Sequence, residues 1–251
     1  MIEHFERDRL HHEAIAHEYD DVVVRPRAIG NDLLFKRFAR LIRPGASMLD
    51  AACGTGHMLM RFADRFDHAV ALDHSAAMLA QARRKALERG WSHITFKCED
   101  IRGFVDNSPA SQFDLITCVG FLHHLLPADV SGAVAGLARL LRPRGVLLIS
   151  EPVKIKPDAV PAKIHDWNRR SLAAKTHYSL AVDDPEEEPL DSELLLRTFA
   201  PTGLELARVL RSFEIFPHSH PPTVKDRLAI WALNQRYGRA GNVLTLAAIR
   251  A

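Results

Sequence analysis

Two hydrophobic rhythms alternate along the chain. Residues 47–52, 68–73, 94–98, 113–119 and 146–149 are short, largely apolar runs, with the length and continuity of strands buried on both faces. Between them, apolar positions fall three and four apart. Met58, Leu59, Phe62 and Phe66 mark a helix over 56–67. Ser75 caps a helix that reaches about Arg89, and Gly90 stops it. Pro127 opens another, with Val130, Val134, Leu137 and Leu141 on one face, and Arg142-Pro-Arg-Gly145 closes it. Strands alternating with helices predict an α/β fold with a parallel sheet covered on both sides.

The rhythm changes at both ends. The first 40 residues read as helical, with Phe35, Phe38, Leu41 and Ile42 on one face. Residues 152–190 have no clean period and include the acidic run Asp183-Asp-Pro-Glu-Glu-Glu-Pro189, a solvated loop. A helix over 192–199, a strand over 204–215, an irregular or helical segment over 217–237 and a strand over 242–249 follow. The expected organisation is one domain, 1–251. An N-terminal helical cap (1–44) precedes a ligand-binding core (45–151), and insertions at 152–190 and 216–240 form a lid. Trp167, Tyr178, Ile230, Trp231 and Leu233 either wall a pocket under that lid or pack the insertions onto the core.

Charge and cysteine content narrow the class. The formal net charge is +2 over 251 residues and the arginines are scattered, so nucleic acid is not an expected partner. The opening MIEHFERDRLHHE is charged and unlike a signal peptide. No apolar run approaches the roughly 18 residues a membrane span needs. Cys53, Cys98 and Cys118 lack CxxC spacing and suit a reducing compartment. A cytoplasmic protein without a membrane span is expected.

The chemistry begins at LDAACGTGHM, residues 49–58. Gly54 and Gly56 follow a strand and open a helix, so a ligand can approach the backbone closely. The dinucleotide fingerprint asks for a third glycine at position 59, which is Leu59. Asp50 sits inside the motif, where a carboxylate repels a pyrophosphate and attracts an ammonium. Asp73 ends the next strand and suits both hydroxyls of a ribose. Glu99-Asp100-Ile101 ends the third strand, where a carboxylate can accept from an adenine amino group. Ribose, adenine and a cationic amine without a diphosphate describe S-adenosylmethionine.

With these residues the chain resembles the class I S-adenosylmethionine-dependent methyltransferases, most closely the small-molecule type related to quinone-biosynthesis enzymes. Leu49-Asp-Ala-Ala-Cys-Gly-Thr-Gly56, Ala71-Leu-Asp-His-Ser-Ala-Ala-Met78, Glu99-Asp-Ile101, Phe113-Asp-Leu-Ile-Thr-Cys118 and Leu141-Arg-Pro-Arg-Gly-Val-Leu-Leu-Ile149 appear in the family's order. Ala52 stands where the family pattern has its first glycine. The resemblance implies a doubly wound, Rossmann-like sheet of seven strands whose last runs antiparallel. It implies that Asp50 lies near the methionine amino group and that Ala52, Gly54 and Gly56 form the loop around methionine and ribose. Asp73 would hold the ribose hydroxyls, and His74 and Met78 would flank the adenine or ribose. Asp100 and Ile101 would meet the adenine, and Cys118 and Gly120 would lie along the cofactor. Tyr19 would close over it from the N-terminal helices.

Methyl transfer from a sulfonium needs alignment and, for a hydroxyl or acidic carbon acceptor, a base. His123 and His124 follow the fourth strand and are the candidate bases, or serve to position the loop. Glu151 ends the fifth strand as a candidate contact for a polar acceptor. The expected reaction is metal-independent O- or C-methylation of a small, partly apolar molecule. His11-His12 and His218-Ser-His220 have metal-compatible spacing, but no ligand pattern joins them, so no metal is expected. The rival readings are a protein or RNA methyltransferase, a non-catalytic S-adenosylmethionine-binding protein, and a nicotinamide dehydrogenase.

Overall fold

In the computed structural model, residues 2–25, 35–167, 188–214 and 223–251 are described. Seven strands form one sheet: β1 (Gly45–Ala51), β2 (Phe66–Asp73), β3 (Ile94–Cys98), β4 (Phe113–Val119), β5 (Leu141–Pro152), β6 (Leu204–Ser212) and β7 (Val243–Arg250). Their order is β3-β2-β1-β4-β5-β7-β6. The first five pair in parallel, and β7 runs antiparallel to both β5 and β6.

Alternation along each strand divides the core into two layers. Leu49, Ile116, Leu147, Ile149, Leu244 and Leu246 face one cluster; Met48, Leu115, Val146, Leu148 and Ala247 face the other. Both faces are apolar because both are covered, which is why the strands read as continuous hydrophobic runs.

The helices are α1 (Ile2–Ile15), α2 (Leu59–Phe62), α3 (Ala76–Glu88), α4 (Ile101–Asn107), α5 (Pro127–Leu140), α6 (Ser192–Arg197) and α7 (Val224–Tyr237). Ser75 caps α3 by accepting from Met78 N, and Gly90 leaves it at φ +69°. None of the described helices is long and apolar enough to cross a membrane.

Several elements differ from the sequence reading, three of them with an evident physical reason. The expected helix over 56–67 is a turn, the single turn α2 and a 3₁₀ turn Ala63–Arg65, because pairing of Phe66 with Gly45 draws β2 two residues further back. α4 went unread, although Asp100 caps it by accepting from Arg102 N and it buries Ile101, Phe104 and Val105. β5 begins at Leu141 rather than 146, since Leu141 pairs with Phe113 before a bulge. The close approach of Gly145 to Phe113 O and Arg142 O leaves no room for a Cβ there.

The described parts of the two insertions pack on each other. Val160 and Ile164 join Phe213, Ile230 and Leu233, with Trp167 against them. Trp231 is 57% exposed. Tyr178, His218, His220 and the acidic run 183–187 lie outside the described residues.

Candidate functional site

The sheet turns around between β1 and β4. From β1 the chain works outward to β3, then returns to β4 on the other side. Ligands bind in α/β sheets beyond the strand ends at such a switch point, and a cavity lies there.

Its floor is the loop after β1. Gly54 and Gly120 adopt φ +52° and +67°, and a Cβ on either would meet no protein atom. Backbone conformation selects glycine at both, and the space beside them belongs to the cavity. Gly56 differs. At φ +84° it does not border the cavity, and a Cβ there would come within 3.0 Å of Ala82 Cβ on α3, so its bareness sets the loop's closeness to the helix. Ala52 holds φ +56°, the left-handed region, despite its Cβ.

Two strand-end acids are pinned by backbone and hydroxyl donors. Asp73 accepts from Gly54 N at 2.7 Å and from Ser75 N at 2.9 Å. Each oxygen retains a lone pair for a ribose hydroxyl. Asp50 accepts from Leu59 N at 2.9 Å and Thr117 Oγ1 at 2.7 Å. Burial pushes its carboxyl up to about 7, aided by the nearby Asp73 charge and opposed by those two hydrogen bonds. A cationic group placed beside it would restore its charge.

Asp100 borders the cavity, but its carboxylate is engaged by Arg102. Oδ1 accepts from Nε at 2.9 Å and Oδ2 from Nη2 at 2.9 Å. Burial opposes ionisation of Asp100, and the Arg102 contacts outweigh it and hold the carboxyl below its ordinary value. The guanidinium stacks 3.8 Å from the ring centre of Phe5. His74, Met78 and Ile101 border the same side. Cys118 does not. It is buried in the core layer with Leu49 and Ile116, because strand alternation turns it away from the cavity.

The turn after β4 carries the histidine pair, with ring centres 4.1 Å apart. His124 borders the cavity; His123 does not. Glu151 is fully buried beneath the turn. It accepts from Phe121 N and Leu122 N at 3.0 Å each and lies 2.8 Å from His123 Nδ1. The expected contact between Glu151 and an acceptor therefore gives way to a brace, since its oxygens face the turn it supports.

The roof was the least legible part. Among the described residues it is built by the N-terminal segment, including Phe5, Asp8, His12, Tyr19 and Val23, and no residue of the insertions borders the cavity. Ile15 and Ala16 pack on Met78. Asp20 accepts from Thr55 Oγ1 at 2.6 Å and pairs with Lys85. Asp8 is buried next to three imidazoles. Its Oδ1 is 2.8 Å from His124 Nδ1 and 3.4 Å from His12 Nδ1; its Oδ2 is 3.4 Å from His74 Nε2. The spacing Asp8-x-x-x-His12, one helical turn, was the available sequence signal. Among the described residues the wall carries five carboxylates, those of Asp8, Asp50, Asp73, Glu99 and Asp100, and neither lysine nor arginine.

Residues 48–145 match a family described as a methyltransferase domain. A ubiquinone biosynthesis O-methyltransferase of Pasteurella multocida is 34% identical over 114 residues, 42% of this chain and 46% of that protein. The chain thus matches less than half the length of that relative. Magnesium protoporphyrin IX methyltransferase from Synechocystis PCC 6803, solved with bound SAH, superposes with a TM-score of 0.59 at 17% identity, covering 98% of this chain and 94% of that one. The [4+2]-cyclase SpnF superposes at 0.60 with 19% identity and 95% coverage of both chains. Similarity at that level shows the fold alone, since fold does not dictate reaction. The sheet order and the matched span agree: residues 48–145 are similar to a methyltransferase domain, set in a fold shared with class I methyltransferases of known structure.

Proposed function

We propose that the chain transfers a methyl group from S-adenosylmethionine to a small acceptor, at oxygen or carbon. The carrying observation is the composition of the cavity wall, which among the described residues has five carboxylates and no lysine or arginine. Such a wall repels a diphosphate or a nucleic acid and favours a ligand bearing a sulfonium and an ammonium. Asp73 holds the ribose, Asp50 faces the amino group, and Gly54 and Gly120 leave room for the chain between them.

The displacement needs little covalent help. The acceptor atom attacks the methyl carbon, the carbon–sulfur electron pair stays on sulfur, and S-adenosylhomocysteine leaves. The protein aligns the partners and excludes water. His124, on the cavity side, is the residue we assign to activating the acceptor. His123, held on Glu151, positions it.

Calorimetric titration with S-adenosylhomocysteine, with NAD in parallel, tests the reading. Micromolar binding of the first, weakened by about 2–4 kcal/mol in Asp73→Ala, is expected. Binding of NAD instead, or of neither, overturns it.

A further inference from the structure

Three side chains converge in the cavity roof. Asp8 and His12 stand one turn apart on α1, and His124 comes from the turn after β4. Each offers one ligand atom, and these atoms all lie within 4.8 Å of one another. Asp8 Oδ1 lies 2.8 Å from His124 Nδ1, a hydrogen-bond distance that an ion entering between them would widen. His12 Nδ1 lies 2.9 Å from the Asp8 carbonyl oxygen, so Nε2 is the nitrogen His12 would offer. The carboxylate is 95% buried, its side chain showing 5% exposure.

Donor chemistry selects the ion. Two imidazoles and one carboxylate suit zinc, iron(II) or cobalt(II); magnesium and calcium prefer sets made of oxygen. The cavity's excess of carboxylates adds an attraction for any cation. His74, 3.4 Å from the other oxygen of Asp8, holds that carboxylate from its far side.

We propose that Asp8, His12 and His124 form a binding site for a divalent first-row transition ion at the acceptor end of the cavity. Three protein ligands leave coordination positions open, the arrangement of a reactive rather than a purely structural site. If the methyl-transfer reading holds, the open position takes a hydroxyl oxygen of the acceptor. The hydroxyl proton goes to solvent, and the oxyanion attacks the methyl carbon. The acceptor class is then a phenol or enol. The site itself does not depend on that reading. His124 then activates the acceptor through the ion it holds, and the cation replaces the metal-free chemistry expected from sequence.

The test uses untagged full-length protein stripped with a chelator and titrated with cobalt(II), zinc(II) and magnesium(II). Cobalt is followed by its visible absorption, zinc and magnesium by calorimetry. One zinc or cobalt ion per chain is expected, with magnesium at least about tenfold weaker. His12→Ala and the more conservative His12→Gln should each weaken zinc binding by at least about tenfold while circular dichroism stays native. Unchanged zinc affinity in a natively folded His12 variant, or no zinc preference over magnesium, overturns the site. S-adenosylhomocysteine titrated in parallel separates the two ideas. Zinc binding without S-adenosylhomocysteine binding sinks the methyl-transfer reading alone, whereas S-adenosylhomocysteine binding without zinc or cobalt binding sinks the metal site alone.

Discussion

Asp20 and Thr55 are 35 residues apart, and their side chains meet at 2.6 Å. Through this contact the N-terminal segment is tied to the glycine loop. Lys85 completes a triangle, pairing with Asp20 and donating to Thr55 O at 2.9 Å. The roof is therefore fastened to the part of the floor where a cofactor would lie. Asp20→Ala should release it. A charge-assisted hydrogen bond of about 1.5 kcal/mol corresponds to roughly tenfold faster loss of S-adenosylhomocysteine. Hydrogen exchange over residues 2–25 should rise in parallel. Unchanged protection there would mean that packing of Ile15 and Ala16 on Met78 suffices alone.

Asp50 sets stability against binding. Its ordinary value is 3.8, and in the folded protein it is pushed up to about 7. From about pH 4 to 7 the unfolded chain gives up this proton while the native state keeps it, so this residue's contribution to stability falls as pH rises. The cost levels off above pH 7 at about 4 kcal/mol. Asp50→Asn should raise the melting temperature at neutral pH, because Thr117 can instead donate to Leu49 O, 3.4 Å away. The same variant should bind S-adenosylhomocysteine more weakly. In the unsubstituted protein, affinity for that ammonium-bearing ligand should increase as pH rises through 7; in Asp50→Asn the increase should vanish. Titrations in buffers of different ionisation enthalpy would also register the proton released.

Glu151 supports the histidine turn from below, so its loss should be felt first in stability. Glu151→Ala leaves Phe121 N and Leu122 N without their acceptor, at a cost of about 3–5 kcal/mol. Glu151→Gln keeps one oxygen and should cost less. Urea denaturation separates these outcomes. Equal midpoints for the two variants would deny the brace.

Ala52 can be improved. At φ +56° its Cβ costs about 1 kcal/mol relative to glycine. Ala52→Gly should move the urea midpoint upward, and Ala52→Val should move it down further than a change on an exposed surface would. A downward shift for Ala52→Gly would show that flexibility of the unfolded loop outweighs the strain.

Much of the frame was legible because burial writes itself into local pattern. Strands β3 and β4 appear in the sequence at the residues the fold uses, each a run with turn residues at both ends. The acids Asp50 and Asp73 were legible because they follow strands at fixed distance from glycines. What depends on contacts distant in sequence was not. Asp8 meets His124 across more than a hundred positions, and nothing near either residue announces the other. Arg102 claims Asp100 from only two residues away, yet the helix it starts was missed because the run after it is short. Glu151 read as a rim acid because strand alternation gives its direction but not the turn that folds over it.

The position of β7 has a consequence for synthesis. β6 touches the sheet only through β7, which inserts between it and β5. The ribosome delivers β6 first. Until residues 243–250 emerge, β5 presents an unpaired rim and β6 has nowhere to dock. The nascent chain thus carries two open edges at once, a liability for which cells keep chaperones near the exit tunnel. Synthesis of β7 closes both gaps in one step, so a growing chain gains β7 and β6 together rather than strand by strand.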